Sequence, residues 1–412
     1  MEACALHGCR AIRQCTSHRR GRCPRGLLRA GLTVLACAAL ASSAAAAGRD
    51  PLAGRGMWIW YLSRSDGGDI SSIVAAARQY GLSTVIVKSG DGAGVWSQFN
   101  APLVAALHAA GLRVCGWQYV YGDNPVAEAD VGAATVRAGA DCLVVDAESS
   151  YQGKYVQAQT YISSLRSLIG AGFPVALAGL PYVDYHPGFP YSVFLGPSGA
   201  QYDMPQMYWL DIGASVDQVY AHTFAYNTPY GRPIVPLGQA YGNPTPGQMI
   251  RFRQDSRAYG AAGVSWWDWA WTQTSGEWGA ISQPAGQLAT ADAVASEADM
   301  RTGLQGDLVV WAQEHLISAG YRIAADGDFG PTTLVAVVAF QRAHGLTADG
   351  VIGPVTWRAL LRYAPAPVRF SATAARVASA AGFSLTMPIP KSARLPARRT
   401  EIAAPAEPGP RG

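Results

Sequence analysis

The chain has 412 residues, too many for one ordinary domain, and 49% of them are hydrophobic against 15% charged, which excludes a wholly disordered polymer. Its net charge of +4 averages unlike parts: residues 1–48 hold seven Arg and one Glu, residues 364–412 hold six Arg, one Lys and two Glu, and the 315 residues between carry 18 basic and 25 acidic groups. That acidic middle excludes a protein that tracks nucleic-acid phosphates; no glycine-rich phosphate loop precedes a helix, and the seven His form no metal-ligand cluster. No metal or other cofactor is implied.

Residues 1–48 have the three parts of a secretory signal: an Arg-rich head, an apolar run from Ala30 to Leu40, and a small-residue end at Ala41–Ala47. The run is too short for a comfortable membrane span, so the mature protein is expected to begin between about 42 and 50 and to keep no stable span. Five of the seven Cys lie in that segment. Cys115 and Cys142 remain on neighbouring predicted strands, where a disulfide and a pair of small buried core residues are both open readings.

From 55 to 283, short apolar runs begin near Met57, Ser83, Leu112, Asp141, Pro174, Asp203, Pro233 and Gly263, at intervals of 26 to 33 residues. Most intervals carry helical periodicity, as in Ile162, Leu165, Leu168 and Ile169; the fifth is weak, with Pro and Gly throughout 181–199. Eight strand–helix units predict an α/β protein with a (β/α)8 TIM-type barrel. In that fold the site lies where the strands end. The strand ends supply Lys88 and Asp91, Trp117 and Gln118, Asp146 and Glu148, Gln206 and Tyr208, Gln239, and Trp267 and Asp268. Polar side chains are costly in a barrel unless paired or wet, so together they predict a substrate mouth.

The fourth run reads Leu143-Val144-Val145-Asp146-Ala147-Glu148. Strand side chains alternate, which puts both carboxylates on the face of Val144, inside the barrel. Two acids so close cannot both ionise freely, and a raised carboxyl is what a general acid requires. The competing reading is a salt-bridged pair, with Lys88, that holds a loop. This D-x-E resembles that of glycoside hydrolase families 18 and 25. The resemblance implies Glu148 as the acid and Asp146 as support for a 2-acetamido nucleophile. Met204-Pro205-Gln206-Met207-Tyr208 resembles the sixth-strand segment that holds the acetamido group in family 18, and Trp267 and Asp268 resemble residues that floor the sugar subsite. The first strand lacks the Asp of family 25. Lys88, Asp91, Trp117, Gln118 and Gln239 complete the expected substrate-binding set.

Residues 284–302 read as a linker. After it, Asp326-Gly-Asp-Phe-Gly-Pro-Thr-Thr333 and Asp349-Gly-Val-Ile-Gly-Pro-Val-Thr356 repeat one D-G-x-x-G-P-x-T pattern, each a turn with Pro at a helix start. With the helix around Trp311–Leu316, this closely resembles the peptidoglycan-binding type 1 domain, a three-helix module, over 303–363. Its repeat residues are expected to be structural rather than ligand-contacting. Residues 364–412, rich in Pro, Ala and Arg, are expected to be disordered. The chain therefore reads as a secreted, wall-associated protein that binds peptidoglycan or another wall glycan and carries a glycosidase barrel of muramidase or glucosaminidase type. A non-catalytic glycan-binding barrel is the alternative.

Overall fold

The computed structural model describes residues 50–286 and 296–370; the proposed signal segment, the middle of the proposed linker (287–295) and all but the start of the proposed tail lie outside the described residues. Eight parallel strands form the barrel: β1 (Gly54–Ile59), β2 (Thr84–Asp91), β3 (Arg113–Val120), β4 (Cys142–Ala147), β5 (Val175–Ala178), β6 (Tyr202–Asp203), β7 (Leu237–Gln239) and β8 (Gly263–Trp267). They pair in the order β6-β5-β4-β3-β2-β1-β8-β7, and isolated parallel bridges Asp203–Ile234 and Gln206–Leu237 close the ring. The closure is thin because Pro205, Pro233 and Pro236 supply no N–H to a ladder. Their carbonyls still serve: Asp203 N donates to Pro233 O at 3.0 Å and Leu237 N to Pro205 O at 3.1 Å.

The helices between strands are α1 (Ile70–Gln79), α2 (Ala101–Ala109), α3 (Pro125–Arg137), α4 (Tyr155–Ile169), α5 (Tyr191–Phe194), α6 (Trp209–Ile212), α7 (Val216–Asn227) and α8 (Pro246–Ala258), with α9 (Trp269–Ser275) and α10 (Trp278–Ser282) after β8. Their starts are written locally. Asn100 and Asn124 cap α2 and α3 just before a proline, and Ser215 with Gln218 and Thr245 with Gln248 form capping boxes on α7 and α8. The weak fifth interval yields a 3-10 turn at Val183–Tyr185 and a single α-helical turn, α5.

Strand alternation sorts the core into layers. On β4, Cys142 and Val144 face an inner cluster with Trp58, Ile86, Trp117, Ala176 and Met204, while Leu143, Val145 and Ala147 face the helices. Cys115 and Cys142 stand opposite each other on β3 and β4 and form a disulfide, which settles the two open readings in favour of the bond.

The C-terminal region has three helices, α11 (Asp307–Ser318), α12 (Pro331–Ala343) and α13 (Pro354–Leu360). It starts before residue 303: Met300 bridges Ile352, and Trp357 Nε1 donates to Ala298 O at 3.1 Å. The segment 364–370, expected to be disordered, instead packs back through Val368 and Phe370, the two large apolar side chains of a Pro/Ala run, onto Tyr155 of the barrel and Val310 of α11. No described helix is long and apolar enough to cross a membrane.

Candidate active site

Asp146 ends β4 pointing into the barrel, and Glu148 follows at the rim. One donor joins them: Gln206 Nε2 lies 3.0 Å from Asp146 Oδ1 and 3.1 Å from Glu148 Oε1. Burial pushes the Asp146 carboxyl well above the usual range and the Glu148 charge adds to this, while the Lys88 cation and the Gln206 hydrogen bond pull the other way. Tyr208 stands in the same field; burial, then Tyr241, then the charges of Asp146, Glu148 and Asp268 drive its phenol far up.

Aromatic rings surround the acids. Trp267 meets Trp58, Trp60 and Trp117 at centroid distances of 5.5, 5.7 and 5.3 Å, and Tyr208 meets Tyr241 at 5.5 Å. Lys88, only 3% exposed, lies over Trp60, Trp96 and Trp117 at 5.3, 4.5 and 4.5 Å and pairs with Asp91 at 2.7 Å. Asp91 also accepts from Tyr121 OH at 2.9 Å. This cation, sheathed in indole faces and neutralised by its own carboxylate, is a fixed charge beside the pair rather than an open ligand arm.

The structure brings Lys88, Asp91, Trp117, Asp146, Glu148, Gln206, Tyr208, Trp267 and Asp268 to one end of the barrel. Asp268 caps α9 by accepting from Trp271 N at 3.2 Å, and burial raises its carboxyl to about 6. Two expected substrate-binding residues are elsewhere or occupied. Gln118 follows the inward Trp117, so alternation turns it out toward α3, where Nε2 donates to Gly92 O and Glu128 O at 2.9 and 2.8 Å. Gln239 is fully buried, with its amide committed to Leu210 N at 2.7 Å and Tyr241 O at 3.1 Å, so it fastens a loop.

Sequence reasoning passes over Trp96, Tyr121 and Tyr241, which sit on loops, where period gives no direction. It also passes over Glu128, whose buried carboxylate accepts from Tyr121 N, Gly122 N and Asp123 N at 3.3, 3.0 and 3.3 Å and so shapes the loop that carries Tyr121. Among the described residues no three His, Cys, Asp or Glu side chains are grouped to hold a metal ion.

Residues 305–360 match the family described as "Putative peptidoglycan binding domain". The chain is 36% identical over 94 residues to a probable N-acetylmuramoyl-L-alanine amidase of Bacillus licheniformis, 22% of this chain and 23% of that protein. It is 55% identical over 38 residues to the zinc D-Ala-D-Ala carboxypeptidase of Streptomyces albus G, 9% of this chain and 15% of that one. The chain thus spans about a quarter or less of these curated relatives. Among solved structures, the Bacillus cereus spore cortex-lytic enzyme SleL is 10% identical with a TM-score of 0.42, over 59% of this chain and 76% of that one. The fold is an α/β barrel with alternating helices, joined to a helical C-terminal region. That region is a peptidoglycan-binding domain.

Proposed function

We propose that the barrel is a glycoside hydrolase acting on peptidoglycan or a related amino-sugar polymer, with Glu148 as general acid and Asp146 as its partner. The observation that carries this reading is the pair itself: two carboxyl groups at the barrel mouth, joined by Gln206 and ringed by tryptophans. Asp146 is buried and its carboxyl is raised by that burial and by the Glu148 charge, which is the electrostatic setting an acid pair needs to hold a proton for catalysis. Glu148, at the rim, is the member placed to pass that proton to a glycosidic oxygen, and Asp146 is placed to balance charge that develops on the substrate. Gln206 fixes the spacing of the two, Tyr208 completes the polar wall, and the half-buried Trp60 and Trp267, backed by Trp117, offer apolar surface to sugar C–H faces. The peptidoglycan-binding domain holds the enzyme at the wall, which fits a secreted, wall-associated protein. The test is incubation of the protein with purified peptidoglycan and assay for new reducing ends, with Glu148→Gln as control. Binding without release of reducing ends from any wall preparation would replace this reading with a glycan-binding barrel.

A further inference from the structure

A (β/α)8 barrel is stable only if the outward face of each strand is covered. At the fifth unit the chain provides one α-helical turn, α5, where α4 has 15 residues and α7 has 12. Helix α11 of the C-terminal domain covers the gap. Val309, Trp311 and Leu316 share one apolar core with Leu177, Tyr191 and Phe194. The polar contacts are equally specific. The fully buried Asp307 carboxylate accepts from Ser192 N and Oγ, both at 2.7 Å, and from Tyr230 OH at 2.8 Å. Trp311 Nε1 donates to Pro229 O at 2.7 Å. Beyond the domain the chain crosses back, with Phe370 against Tyr155 at 4.6 Å between centroids and Gln159 Nε2 donating to Val368 O at 2.6 Å.

This contact reaches the acids. Asp307 N donates to Pro187 O at 2.7 Å, and the next carbonyl, Gly188 O, accepts from Gly153 N at 2.8 Å. Gly153 belongs to the loop that begins at Glu148. Gly306, at φ +119°, allows the approach, since a Cβ there would meet Pro187 atoms at 2.5 to 2.9 Å. Two successive backbone hydrogen bonds therefore join the first residue of α11 to the Glu148 loop.

We propose that the peptidoglycan-binding domain is a built-in wall of the barrel and that Asp307 is a positioning residue that fixes the loops 148–154 and 186–192 around Glu148. The catalytic part of this inference rests on the role of Glu148 proposed above; the loop-fixing part does not. Two measurements on the full chain test it. In the first, a protease site is inserted between residues 287 and 295 and cut. The fragments are expected to co-elute on size exclusion, and to separate in the cut protein carrying Trp311→Ala. In the second, amide hydrogen exchange is compared in Asp307→Ala and in Asp307→Asn, which keeps the shape if the alanine variant fails to fold. Exchange is expected to rise about tenfold or more in 148–154 and 186–192 while β1 to β3 keep theirs, with kcat falling about tenfold and KM nearly unchanged. Fragments that separate without any substitution, or exchange that rises evenly over the whole barrel, overturn the proposal. A wild-type protein that releases no reducing ends removes Glu148 as the acid but leaves both measurements decisive for Asp307.

Discussion

Gln313 and Gln341 make matching sets of hydrogen bonds in the two halves of the C-terminal domain. Gln313 Nε2 donates to Asp326 Oδ1, Asp328 O and Thr333 Oγ1 at 2.8, 3.0 and 3.0 Å, and its Oε1 accepts from Gly327 N at 2.9 Å. Gln341 Nε2 donates to Asp349 Oδ1, Val351 O and Thr356 Oγ1 at 2.9, 2.9 and 3.1 Å, and its Oε1 accepts from Gly350 N at 2.9 Å. The repeated Asp, Gly and Thr are therefore the lining of a glutamine socket. Gly327 and Gly350, at φ +76° and +75°, give the turn its left-handed residue.

Replacing either glutamine by leucine leaves a buried backbone N–H, that of Gly327 or of Gly350, without its partner. Such a group costs about 1–3 kcal/mol, so Gln313→Leu and Gln341→Leu should each lower stability by about that much. Denaturant midpoints at constant slope would show it. Equal losses are expected because the sockets are equal; a change under 1 kcal/mol in either would show the socket to be solvated rather than sealed.

The Cys115–Cys142 bond closes a loop with a sequence separation of 27 between two strands of the barrel interior. Loop-closure entropy gives a bond of this span about 3.5 kcal/mol, a model-dependent figure. Cys115→Ala with Cys142→Ala should therefore lower the melting temperature by several degrees, and reductant should do the same to the wild type. A wild type indifferent to reductant under unfolding conditions would mean the bond does not form in solution.

Buried ionisable groups set the pH dependence of stability. Burial raises Asp203 to about 8 and Glu314 to about 9, and lowers His186 and His315 to about 4. For the two acids the folded state binds the extra proton, so their stabilisation is complete below the unfolded carboxyl value and is lost as pH rises through 8 and 9. For the histidines it is complete above about 6.5 and is lost as pH falls toward 4. Above pH 6.5 only the acids still change, and the melting temperature should fall from there to pH 9. Glu314→Gln should flatten that fall; an unchanged slope would place the proton elsewhere.

The barrel was legible because periodicity is set by the backbone: period two on β4 put Cys142, Val144, Asp146 and Glu148 on one face, and the structure shows the first three there. The same rule applied to β3 turns Gln118 away from the mouth, because a strand-end polar residue faces the mouth only where alternation also points it inward. Gln239 obeys the rule yet is consumed by Leu210 and Tyr241, backbone partners on loops that no spacing reveals. The weak fifth interval was visible as a run of Pro and Gly. What fills it was not, because α11 arrives from beyond residue 300, and a contact over such a separation leaves no local period. Disulfide and core readings of Cys115 and Cys142 have the same local pattern, and only the register of β3 against β4 separates them.

The acid pair yields the most direct test. Glu148→Gln preserves shape and hydrogen bonding but cannot give up a carboxyl proton, so glycan binding should persist while turnover falls by about 10²–10⁴-fold. Asp146→Asn should also lower turnover, since it removes the carboxylate that partners Glu148 and balances charge on the substrate. Lys88 allows the electrostatics to be moved without touching either acid. Its cation pulls the Asp146 carboxyl down, so Lys88→Met should let that carboxyl rise further, and the alkaline limb of the kcat/KM profile should move to higher pH. Lys88→Arg, which keeps the charge, should leave the limb near its wild-type place. If Lys88→Met moves the limb downward, Lys88 is not acting on Asp146 as a charge; if Glu148→Gln keeps full turnover, the proton comes from another residue.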